Sequence, residues 1–180
     1  MTDLFRSGGP IMSHLLRLAA LAVAILMPLA LPAAERAEPT GPVLLTISGA
    51  IADTDASGTA RFDLDTLRAL PAVTFETTTI WTEGRQTFTG VSLATLLESV
   101  GASGTSIRAT AINDYSVSIP ADDWAAGAAI VAYLNNGEPM SLRGKGPLWI
   151  VYPYDTSSAF QTEVIYSRSI WQLDRIEATD

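Results

Sequence analysis

Apolar residues recur on one helical face at Leu93, Leu96, Leu97 and Val100, with Ser92 placed to cap the segment and Gly101 to stop it. The spacing predicts a helix over residues 92–100 whose stripe faces the core. A second helix is expected behind Asp63, where Leu64, Leu67 and Leu70 keep the same spacing until Pro71. Elsewhere the pattern shortens to strands: Val43–Ser48, the β-branched run Val73–Thr79, Ser106–Ala111, Ser116–Ile119, Ala129–Leu134, Leu148–Tyr152 and Ile170–Ala178. Pro120 introduces a short helical turn at Ala121–Trp124. Asn135-Asn136-Gly137-Glu138 carries the Asn-Gly pair favoured where a chain reverses tightly. Many short strands with two or three helices predict a mixed α+β domain.

Ahead of this pattern stands a different one. Arg6, His14 and Arg17 precede an uncharged run from Leu18 to Ala34, which reads as a secretory leader cleaved near Ala33 or Ala34, with Met12 as a possible start. The rival reading is an uncleaved anchor, but Pro28 and Pro32 interrupt a run that would need about 20 apolar residues. Residues 1–34 are therefore expected to be a signal peptide, 35–42 a short linker and 43–180 one domain, placing the protein in the periplasm. The remaining stretch of about 146 residues is large enough to bury a single core.

Two of the 11 basic residues and one of the 19 acidic ones fall in the leader, so the exported part is strongly acidic. Such a surface argues against nucleic acid or anionic membrane as the main partner. The single histidine, His14, is also in the leader, and the chain has no cysteine. A Ser-His-Asp or Cys-His nucleophile is thereby excluded from the exported part, as are His- and Cys-rich zinc sites and disulfides. The pairs Asp53/Asp55 and Asp122/Asp123 lack the spacing of a calcium loop and read as turn and helix-start residues.

Four further pieces stand in order: Trp81 with Phe88-Thr-Gly-Val-Ser-Leu93 and Leu96-Leu97; Ala111-Ile-Asn-Asp-Tyr115; Val131-Ala-Tyr-Leu-Asn-Asn-Gly-Glu-Pro-Met140; and Gly144-Lys-Gly-Pro-Leu-Trp-Ile-Val-Tyr-Pro153 with Trp171-Gln-Leu. Together they resemble the oxidoreductase molybdopterin-binding domain shared by sulfite oxidases and periplasmic methionine sulfoxide reductases. The resemblance implies a mixed-sheet, barrel-like sulfite oxidase fold with a few short helices. In the family a cysteine thiolate four residues before a tryptophan binds molybdenum; counting back from Trp81 gives Thr77. A hydroxyl does not replace a soft thiolate on a redox-active metal. Trp149 likewise stands where the family has a cofactor-contacting arginine, exchanging a cation for a ring suited to stacking.

These departures resemble a small cysteine-free exported branch of pterin-responsive regulators that act with inner-membrane enzymes of cyclic-di-GMP metabolism. The resemblance implies a pterin as ligand, no catalytic residues, no metal, and an inner-membrane signalling partner. The alternative is a periplasmic molybdopterin-dependent oxidoreductase holding its metal through the dithiolene alone. A third reading is an empty scaffold used for protein contact. On chemical grounds a carboxylate accepts the paired donors of a pterin edge, which nominates Asp114, flanked by Asn113 and Tyr115, and Asp155. Trp81, Trp149, Tyr152 or Tyr154 would stack on the flat face, and Arg143 and Lys145 would meet a polar or phosphorylated tail. Trp149→Ala and Asp114→Ala are expected to weaken binding and leave the fold intact. Trp81, Trp124 and Trp171 also suit plain packing, Asn113-Asp114-Tyr115 a simple turn, and Gly144-Lys-Gly-Pro147 a connecting loop without P-loop spacing.

Overall fold

The computed structural model describes residues 38–125 and 128–180. The expected leader and the first linker residues lie outside them. Residues 38–180 belong to one compact unit. Its strands are β1 (Leu45–Gly49), β2 (Ala60–Phe62), β3 (Ala72–Thr78), β4 (Arg85–Ser92), β5 (Ser106–Ala111), β6 (Ser116–Pro120), β7 (Ile130–Asn135), β8 (Glu138–Pro139), β9 (Trp149–Val151) and β10 (Leu173–Thr179). The helices are α1 (Leu64–Arg68), α2 (Leu93–Glu98), α3 (Ala121–Ala125) and α4 (Glu163–Arg168). None of the described helices is long and apolar enough to cross a membrane.

Local chemistry explains where the helices begin. The Asp63 carboxylate accepts from Thr66 N at 2.8 Å while the Thr66 hydroxyl accepts from Asp63 N at 2.9 Å, a reciprocal cap that satisfies orphan donors of α1. The second Asp63 oxygen accepts from Gly41 N at 2.8 Å and ties the linker to the helix. Ser92 caps α2 through Thr95 N at 3.1 Å, and Gly101 ends the segment at φ +61°, where an added Cβ would lie 2.9 Å from the Ala52 methyl. Leu93, Leu96, Leu97 and Val100 are buried, as their spacing requires.

Two five-stranded sheets share the core. One has the order β2-β1-β10-β5-β6, with β1 and β10 parallel and the other neighbours antiparallel. The other runs β3-β4-β7, with β8 and β9 pairing successive parts of the far side of β7. Neither sheet closes on itself, so the α+β class holds as two open sheets and not as a barrel. Residues 170–173 stitch them together: Ile150 N donates to Ile170 O and Leu173 N to Leu148 O, framing a bridge between Trp149 and Trp171 before the chain enters β10.

Several elements depart from the sequence reading, the short strand β2 among them. The strand β4 is not among the expected elements, and Gly90 lies inside it. A Cβ there would sit 2.2 Å from Val131 O, and the register of β4 on β7 shifts at Thr89/Gly90. The helix α4 carries a weak apolar pattern and is fixed instead by Thr162, whose hydroxyl accepts from Ile165 N. The last strand, expected over Ile170–Ala178, begins only at Leu173. The Asn-Gly reversal is as expected: Asn136 and Gly137, at φ +52° and +83°, form the two-residue loop between β7 and β8.

Candidate functional site

The described residues enclose a cleft of about 490 Å³. Ile80 and Trp81 reach it from the loop after β3. Ala111, Asn113 and Tyr115 come from the β5–β6 turn, Tyr166 and Ser167 from α4, and Ser169, Ile170 and Trp171 from the segment joining the sheets. No lining side chain carries a charge, and four are aromatic. This volume and character suit a small flat molecule with a few fixed polar contacts.

Trp81, half-buried, organises the wall. Its ring centroid lies 5.6 Å from Trp171, 5.7 Å from both Trp149 and Tyr166, and 6.2 Å from Tyr154, each contact edge-to-face. Behind it Ser169 joins three elements. Its hydroxyl accepts from Tyr154 OH at 2.6 Å and donates to Ile165 O at 2.8 Å, while its carbonyl accepts from Trp149 Nε1 at 3.1 Å. Burial pushes the Tyr154 hydroxyl up to about 12 and raises that of Tyr152 further, so both phenols stay neutral.

The nominated residues divide into four groups. Trp81, Asn113 and Tyr115 line the cleft. Lys145 stands at its edge, with Nζ 4.4 Å from the Trp171 ring centroid and 5.6 Å from that of Trp149. Trp149, Tyr152 and Tyr154 are core residues at 0–2 % exposure and present no free ring face. Successive side chains of β9 alternate between two faces, and both faces are buried. Trp149 therefore supports Trp81 from behind.

The remaining three point elsewhere. Asp114, at φ +65° and 81 % exposed, accepts from Arg175 Nη2 at 2.7 Å, and its neighbour Asn113 takes the inward place. The Asp155 carboxylate accepts from Thr78 Oγ1 at 2.5 Å and Thr78 N at 2.8 Å, with Arg85 at 3.6 Å; the Thr78 bonds hold it below the ordinary carboxylate range. Arg143 is exposed on the 3-10 turn Leu142–Gly144 and makes no ion pair with a described residue. Tyr166, Ser167, Ser169 and Ile170 escaped the sequence reading. Their only signal was the hydroxyl-rich stretch after Thr162, which has no motif of its own.

Thr77, at the position where the resemblance expects a thiolate, is fully buried and does not line the cleft. Its hydroxyl accepts from Asp155 N at 3.1 Å and donates to Thr78 O at 3.2 Å. Both hydrogen-bonding directions are thus committed to backbone. Among the described residues no group of three His, Cys, Asp or Glu side chains gathers at metal-binding distance. The side chains present do not fit a protein-ligated molybdenum.

A family model described as oxidoreductase molybdopterin binding domain matches residues 45–159, from β1 to the 3-10 turn Ser158–Phe160. The match takes in Thr77, Trp81 and Asn113 but stops before α4 and β10, so Tyr166 and residues 169–171 of the cleft lie beyond it. No curated protein matches the chain.

Proposed function

Because the chain belongs to the oxidoreductase molybdopterin-binding domain family, we propose that it retains the family's pterin recognition without the protein-held metal, as an exported ligand-sensing protein that signals to an inner-membrane enzyme of cyclic-di-GMP metabolism. The observation that carries the reading is the cleft itself: an uncharged lining with four aromatic rings, Trp81 among them. The Thr77 hydroxyl is already bonded to backbone. Asn113, not a carboxylate, is the amide at hand for a heterocycle edge, since a side-chain amide offers a donor beside an acceptor. Neutral hydrogen bonds contribute about 0.5–1.5 kcal/mol each, and aromatic contacts about 0.5–1.5 kcal/mol beyond area burial. These sums suit a reversible, roughly micromolar ligand. Export rests on the leader, and the signalling partner on the branch resemblance.

The alternative, a molybdopterin-dependent oxidoreductase, draws on the same family match and would place all metal ligation on the cofactor. Titration with oxidised and reduced pterins, read by tryptophan fluorescence, tests the proposal. Saturable quenching is expected, since Trp81 and Trp171 line the site. No response, or native protein recovered with stoichiometric molybdenum and turnover, overturns it.

A further inference from the structure

The strand β3 borders its sheet, and among the described residues its outer edge is open over most of its length. In an antiparallel strand the N–H and C=O of one residue point to the same side. Thr78 N donates away from the sheet, to Asp155. On the other strand, Thr87 turns its N–H to the Asn136 side chain and its C=O to Asn136 N, away from its partner Glu76. Both observations fix the same phase. Val73, Phe75 and Thr77 bond to β4, whereas Ala72, Thr74, Glu76 and Thr78 direct their backbone groups outward. Asp155 occupies the outward position at Thr78, and those at 72, 74 and 76 are exposed.

The other sheet borders are managed. The strand β2 has three residues, β8 has two and ends in Pro139, β9 is bridged by Trp171, and α3 and α4 pack on β6. Natural edges are usually blunted by lysine, proline, a bulge or a cover. Over Ala72–Thr78 there is no lysine or proline, and the register on β4 runs without a shift.

We propose that this edge pairs with the same edge of a second copy of the chain, antiparallel about Thr74. That register sets Thr74 against its counterpart and Ala72 against Glu76, and each facing pair exchanges both backbone bonds. It sets half-buried Val73 and Phe75 beside each other on the inner face. This register opposes no like charges, since the one ionised side chain of the strand, Glu76, faces the Ala72 methyl. Centring on Glu76 would oppose two carboxylates and engage Thr78, already held by Asp155. Centring on Ala72 would draw in Leu70, outside the strand. A two-fold interface of this kind closes after two subunits. It also abuts the cleft, because β3 leads through Thr79 into Ile80 and Trp81.

The test combines sedimentation velocity over a wide concentration range with residue-resolved amide exchange on the protein as recovered from its producing cells. A concentration-dependent dimer is expected in which the Thr74 and Glu76 amides slow on association, while those of Val73 and Phe75 are protected throughout. Thr74→Lys and Thr74→Glu should each be monomeric with unchanged circular dichroism, and their equimolar mixture should dimerise again. A monomer at every soluble concentration, a dimer with fast Thr74 and Glu76 exchange, or no rescue on mixing overturns the proposal. So does capture of the edge by a strand of another protein in preference to self-pairing. None of these outcomes depends on whether a pterin binds.

Discussion

Ser169 holds Tyr154, Trp149 and Ile165 with one residue, and so fixes the surface on which Trp81 rests. Replacing it with alanine leaves the Tyr154 hydroxyl buried without its acceptor, a loss of about 1–3 kcal/mol; urea denaturation of Ser169→Ala measures it. Trp149→Ala, expected from sequence to leave the fold intact, should instead cost about 3–5 kcal/mol, because the ring is wholly buried. The Asn113-Asp114 turn separates binding from charge. Asn113→Ala should weaken pterin affinity about tenfold, roughly 1.4 kcal/mol, while Asp114→Asn, which tolerates the same backbone conformation, leaves titrations and melting temperature near wild type. Which residue of that turn faces inward depends on the positive φ of Asp114, and side-chain identity alone does not encode it. The aromatic inventory was legible in the chain; the assignment of each ring to wall, lining or interior was not.

Among the elements, those with a strong local signal formed where the pattern put them. Asp63 and Ser92 cap the helices they precede, and Asn136-Gly137 turns the hairpin. Leu96→Ala should therefore cost about 2–5 kcal/mol, read as a lower denaturation midpoint with an unchanged fold. The elements that escaped are those whose reason lies elsewhere in the molecule. Gly90 looks like a strand breaker until Val131 is seen to pass so close that no larger residue fits. The helix α4 lacks a full apolar stripe because Ile165 is its only buried residue; Arg168 ties it to Asp123 of α3 at 2.6 Å.

At the scale of the whole molecule, carboxylates take the place of disulfides as loop fasteners. Asp55 gathers Ser57, Thr59 and Arg61, with the Ser57 hydroxyl the main cause of its lowered pKa, and Arg61 also pairs with Glu38. Asp63, lowered to about 2 chiefly by the Thr66 backbone N–H, fastens the linker to α1. A carboxylate depressed on folding stabilises the native state above its ordinary pKa, and that stability fades as pH falls through the folded value. The melting temperature should thus drop as pH goes from 3.8 towards about 2, and Asp63→Asn should flatten that part of the profile.

The placement of β10 has a consequence for how the protein is made. This late strand lies between β1 and β5, so the β1–β2 and β5–β6 hairpins have no common neighbour until residues 173–179 are available. A polypeptide emerging N-terminus first would present these as two unjoined ribbons until its tail appears. Trimming a few residues from its tail would then leave the first sheet split down the middle, not merely shorter by a strand.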